Sequence, residues 1–164
     1  MDISWEELTS GLPNARQLVH VLIRLVAATV LGAMVGIQRE RAGKPTGLRT
    51  HMLVTLGTAV FVLACAGVGM DSDGLSRVIQ GVVTGIGFIG AGSILKLSEE
   101  REIQGLTTAA GIWMTAAVGV AVGLGSLGVA LLSTLFTLII LSFASRVEQW
   151  VDERRAAQVK AKDN

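Results

Sequence analysis

Five long apolar stretches, residues 18–37, 52–69, 78–95, 107–125 and 127–143, alternate with short polar ones along the chain. Each is close to the roughly 20 residues that cross about 30 Å of hydrocarbon at about 1.5 Å per residue. The pattern predicts an all-α integral membrane protein with five transmembrane helices. Residues 1–17 then form an N-terminal segment, 18–143 a membrane domain and 144–164 a polar tail. None of the polar pieces is long enough for a separate soluble catalytic domain. The acidic start (Asp2, Glu6, Glu7) and the late onset of the first apolar run argue against a removable signal peptide.

Small residues mark helix faces. Gly32 and Gly36, Gly81 and Gly85, and Gly119 and Gly123 are spaced four apart, which lets helix backbones approach closely in lipid. The expectation is a tight cluster of the first four spans, with Gly85, Gly87, Gly90 and Gly92 as packing positions in the third. The fifth span, rich in Leu and Ile, is expected at the periphery, facing lipid. The third span also contains a literal G-x-G-x-x-G, Gly85 to Gly90. It lacks the preceding strand and βαβ unit that aim helix N–H groups at a pyrophosphate, so close packing explains it better.

An offset of 58 residues aligns Gly32 with Gly90, Gly47 with Gly105, Leu48 with Leu106, Thr50 with Thr108 and Ala59 with Ala117. This predicts two parallel helical-hairpin repeats in the first four spans. With 8 identities over 31 positions, a shared bias toward Gly and Ala is the competing explanation.

Composition agrees with the pattern: 51% of residues are hydrophobic and 16% charged, against about 25% charged in soluble domains. The net charge of +1 conceals an asymmetry. If five spans are threaded, 11 Lys and Arg fall on the side of the first loop, third loop and tail, and 3 on the other. The positive-inside rule then places the N-terminus outside and the C-terminus in the cytoplasm. Val147, Trp150 and Val151 make an apolar stripe on the charged tail, read either as an interfacial helix or as a solvated stop-transfer segment. Trp5 is a second candidate interfacial anchor.

The chemistry on offer is narrow. The lone Cys65 lies inside the second span, and His20 and His51 fall on opposite sides. No metal-thiolate site or hydrolytic triad can be assembled, so no catalytic residue, metal site or cofactor is expected. Asp71-Ser72-Asp73-Gly74 resembles part of a calcium loop but lacks the third ligand and the distal Glu; a turn with solvated carboxylates is favoured over weak divalent-ion contact. The densest polar stretch, Gln38 to His51, is placed on the inner side. A second span starting near Thr50 would offer unpaired N–H groups and a dipole that favour a carboxylate, with Arg49 beside them and Glu40 as the internal partner. Thr107 and Thr108 start the fourth span in the same way. The candidate cluster is therefore Arg39, Glu40, Arg49, His51, Thr107 and Thr108, against the alternative of helix caps plus anchoring charge. Arg24 lies six residues into the first span. It either snorkels outward or acts as an intramembrane functional group with Asp71, Asp73 or Gln80 as partner.

Gly36-Ile37-Gln38-Arg39-Glu40-Arg41, Gly43-Lys44-Pro45-Thr46-Gly47-Leu48-Arg49-Thr50-His51, Thr84 to Gly92, and Gly105-Leu106-Thr107-Thr108-Ala109-Ala110 followed by Trp113 occur in order across about two thirds of the chain. In these stretches the sequence resembles the N-terminal membrane domain of the MgtC/SapB family (SrpB, YhiD). Gln38 departs from the Glu usual there. The resemblance implies a bacterial inner-membrane protein with a role in magnesium limitation, and the F-type ATP synthase as a partner of larger members. The C-terminal ACT-like domain of those members is not expected in 164 residues.

Two functions follow as expectations. The first is a non-enzymatic regulator that binds another membrane protein and adjusts membrane energetics or magnesium homeostasis. The second is a small ion channel or transporter. The partners expected are the lipid bilayer, a second copy of the chain in a dimer, and a membrane protein such as the F-type ATP synthase, with no nucleic acid.

Overall fold

A computed structural model describes residues 14–96 and 103–162. The order is α1 (Ala15–Arg41), α2 (Leu48–Gly67), α3 (Ser72–Gly92), β1 (Leu95–Lys96), β2 (Ile103–Gln104), α4 (Leu106–Gly123) and α5 (Leu127–Lys162). Four helices, α1 to α4, are long and apolar enough to cross a membrane. The apolar part of α5, Leu127–Phe143, is shorter and continues into the charged tail as one helix.

Local chemistry sets the helix ends. Asn14 opens α1 with a capping box: its Oδ1 accepts from the Gln17 N–H at 3.0 Å, and Gln17 Oε1 accepts from the Asn14 N–H at 3.1 Å. α1 closes at Gly43, whose φ of 66° lets Lys44 N–H reach Arg39 O and Gly43 N–H reach Glu40 O. This left-handed turn satisfies the last carbonyls. The polar loop between the first two helices is therefore only residues 42–47, shorter than the sequence predicts. Asp71, one end of the calcium-loop fragment, is the N-cap of α3, its Oδ1 accepting from the Gly74 N–H at 2.8 Å. That cap starts α3 at Ser72, six residues before the expected 78. The same helix stops at Gly92, so Leu95 is not its last residue but pairs with Gln104 in a two-residue antiparallel ladder, a minor departure from an all-α chain.

α2 is clamped between α1 and α4. A Cβ on Gly32 would lie 2.5 Å from Thr55 Oγ1 and 2.7 Å from His51 O, and one on Gly36 would lie 2.6 Å from Leu48 Cα. From the other side, a Cβ on Gly119 would collide with Thr58 Oγ1 and Thr55 O, and one on Gly123 would lie 2.6 Å from Val62 Cβ. Lipid offers no hydrophobic gain for helix association, so these close approaches supply the dispersion contact that holds the cluster. Ala28, Leu31, Ala59, Val118, Val122 and Ala130 fill its centre.

The third helix corrects the glycine expectation. Gly90 meets Ala109 of α4 at contact distance, but Gly85, Gly87 and Gly92 have nothing within 4 Å of an added Cβ, and neither has Gly81. Gly57, Gly81 and Gly85 instead line an apolar groove of about 550 Å³ between α2 and α3. The fifth helix meets the others along Ala130, Thr134, Thr137 and Leu141, and exposes Leu131, Leu135, Phe136 and Ile139. Trp5 lies outside the described residues, and the side chains of Val147, Trp150 and Val151 outside those described.

Candidate functional site

The polar interior lies where the end of α1 meets the starts of α2 and α4. Arg39, in the last turn of α1, is only 2% exposed. A cation there suits the helix dipole, and burial makes its hydrogen bonds necessary. Its Nη2 donates to Thr108 Oγ1 at 2.7 Å. Thr108, the third residue of α4, is buried, whereas its neighbour Thr107 is exposed. The next residue of α1, Glu40, points elsewhere: its Oε2 accepts from the Leu48 N–H at 3.1 Å, the first residue of α2. Gly47 leaves room for that carboxylate, since a Cβ there would stand 2.9 Å from Glu40 Oε2. Two consecutive residues of one helix thus bind the starts of two others.

His51 completes the site. It is fully buried, and its Nδ1 lies 3.0 Å from Gly47 O. A carbonyl only accepts, so Nδ1 carries the proton in that bond. Gly111 of α4 lies opposite the ring, where an added Cβ would stand in ordinary contact, 3.8 Å from His51 Nε2. That Nε2 is buried without a hydrogen-bond partner, as are Gln38 Oε1 and Thr46 Oγ1. Below His51, the Thr55 hydroxyl donates to His51 O at 2.7 Å, and Thr115 donates to Gly111 O at 2.8 Å. Thr55, Gly111 and Thr115 were not singled out from sequence. Their shared signal is a small or hydroxyl residue on the faces that α2 and α4 turn toward each other.

Of the sequence-derived cluster, the fold brings Arg39 to Thr108 and Glu40 to the start of α2, and buries His51 beside them. Arg49 is exposed, and among the described residues it forms no ion pair with Glu40, which faces the backbone instead. Glu40→Gln is therefore expected to cost about 0.5–2 kcal/mol through a weakened cap, and Arg49→Gln to fall within about 0.5 kcal/mol of the parent. The two should add; a coupling above about 0.5 kcal/mol in a thermal-melting cycle would restore the pair.

Arg24 serves the opposite end of the bundle. Its Nη1 donates to Gly123 O at 2.9 Å, so a cation closes the C-terminus of α4 where the dipole favours it. Asp71, Asp73 and Gln80 make no hydrogen bond or ion pair with it. Among the described residues, no three His, Cys, Asp or Glu side chains gather as a metal-holding set.

The sequence matches the MgtC family over residues 25–150. It is 43% identical to the protein SrpB of Synechococcus elongatus over 137 residues, covering 77% of this chain and 75% of SrpB. It is 42% identical to the putative magnesium transporter YhiD of Escherichia coli over 130 residues, covering 73% of this chain and 58% of YhiD. It is 39% identical to MgtC of Salmonella typhimurium over 132 residues, covering 78% of this chain and 55% of MgtC. The matched region thus spans little more than half of the latter two proteins. No solved structure matches.

Proposed function

Because the chain belongs to the MgtC family, we propose that it is a non-enzymatic regulator in the bacterial inner membrane that binds another membrane protein and so adjusts magnesium homeostasis or membrane energetics. The observation that carries this reading is how the polar groups at and between the helix ends are used. Arg39 holds Thr108, Glu40 holds the start of α2, Arg24 holds the end of α4, and His51 and the buried threonines bond to carbonyls of their own helices. Groups that conduct an ion must exchange protein partners for the ion, whereas these secure helix positions. A partner such as the F-type ATP synthase would meet the outer surface. In this reading α5 is a fifth, peripheral span, and the first four helices form two parallel hairpins whose second helices, starting at Leu48 and Leu106, each follow an N-cap glycine.

The second reading, a small magnesium-related channel or transporter, is favoured by the name of YhiD and by the unpartnered polar atoms of His51 and Gln38. Purified chain in liposomes loaded with a magnesium-sensitive dye separates the two. The regulator reading predicts no magnesium entry; flux abolished by Arg24→Gln or Glu40→Gln would establish the transporter instead. The basic-residue asymmetry further predicts an external N-terminus and a cytoplasmic C-terminus. Topology reporters fused at Asn164 and inserted beside Ser72 test it, and a cytoplasmic signal from Ser72 rejects the orientation.

A further inference from the structure

α3 is held to the rest of the chain from one side, with Ile86 packed on Ile112 and Ala116 of α4, and Gly90 on Ala109. About a third of a turn round the helix from that contact, Asp73, Arg77, Gln80, Thr84, Gly87 and Ala91 are all exposed. Their spacing alternates four and three residues, the repeat of a left-handed coiled-coil seam. This stripe is unsuited to lipid. Gln80 lies eight residues from the first residue of α3 and twelve from the last, so roughly 12 Å and 18 Å of helix separate its amide from the two ends. A polar group left unsatisfied at that depth is costly. Among the described residues, the Gln80 and Thr84 side chains make no hydrogen bond. By contrast, the hydroxyls of Thr29, Thr55, Thr58, Thr115, Thr134 and Thr137 each donate to a carbonyl of their own helix.

We propose that α3 packs in parallel against α3 of a second copy of this chain, across a two-fold axis along the membrane normal. The stripe is self-complementary in charge. Asp73 and Arg77 occupy successive seam positions, so the arginine of each copy reaches the aspartate of the other, and symmetry makes that pair twice. One turn deeper, Gln80 stands opposite its own equivalent, and an amide carries both the donors and the acceptor that such a pairing needs. Gly87 and Ala91 let the backbones close together over the remaining half of the seam. The inference rests on α3 crossing the membrane and is independent of whether the chain regulates a partner or conducts an ion.

The test uses the full chain in native membranes, with Cys65, which is buried in α2, replaced by Ala. Single cysteines are introduced by Thr84→Cys and Gly87→Cys in the seam, and by Phe61→Cys and Leu132→Cys at positions more than half exposed on α2 and α5. Oxidation is expected to convert the two seam variants to covalent dimers several times faster than the two controls. Separately, Gln80→Leu should weaken dimerisation in liposomes about tenfold, measured by energy transfer on lipid dilution, while leaving the melting of detergent-dispersed monomer unchanged. Equal cross-linking at all four positions, or an undiminished dimer in Gln80→Leu, overturns the proposal. So do larger oligomers captured by an amine-reactive cross-linker together with labelling of Thr84→Cys by a membrane-impermeant thiol reagent, which would make the stripe a pore lining. Labelling of the same cysteine from water without cross-linking would instead remove α3 from the membrane.

Discussion

Gly119→Leu is expected to prevent folded chain from accumulating in the membrane. A Cβ at that position runs into the Thr58 hydroxyl and the Thr55 carbonyl, and the second of these is helix backbone that cannot turn aside. Overpacking costs about 1–3 kcal/mol where side chains adjust. Here α2 and α4 must separate, which also loosens Gly123 against Val62 and Gly111 over His51. The loss should exceed about 3 kcal/mol, a large part of the roughly 5–15 kcal/mol that holds a typical domain. Gly87→Leu provides the contrast, since nothing lies within 4 Å of its added Cβ and monomer melting should not change. Membrane yield and thermal melting in detergent compare the two. Parent-like melting of Gly119→Leu would mean that α2 and α4 do not touch there.

Thr108→Val is expected to destabilise by about 1.5–3 kcal/mol, the usual worth of a hydrogen bond to a charged group. Valine keeps the shape but takes from a nearly fully buried guanidinium the hydroxyl 2.7 Å from its Nη2. Arg39→Met removes the cation and leaves only a neutral hydroxyl, whose loss of a partner costs less than that of a buried guanidinium. The double variant should therefore lose clearly less than the sum of the single losses. Unfolding titrations in mixed micelles measure all four corners of this cycle. Strict additivity would show that the end of α1 and the start of α4 are not joined through these two residues.

Much of the architecture is legible in the sequence because lipid allows few alternatives: a spanning backbone must satisfy its own hydrogen bonds, so apolar runs of this length become helices. The four long helices and the Gly32/Gly36 and Gly119/Gly123 contacts can be read that way, and the polar motifs single out Arg39, His51 and Thr108, which the fold buries. What lies opposite a given face cannot. Gly81 and Gly85 share the four-residue spacing of Gly32 and Gly36, yet they border a groove while the other pair touches α2. Spacing fixes a direction on one helix, and only the placement of a second helix decides whether that direction meets backbone or open space. Arg39 and Glu40 show the same division. Adjacent in sequence, they point about 100° apart around α1, one toward Thr108, 69 residues away, and the other toward the first N–H of α2. Charge alone paired Glu40 with Arg49 and Arg24 with the carboxylates of its own side. Tertiary structure gave both Glu40 and Arg24 to helix termini, where the backbone groups that have no partner within the helix need one from outside it.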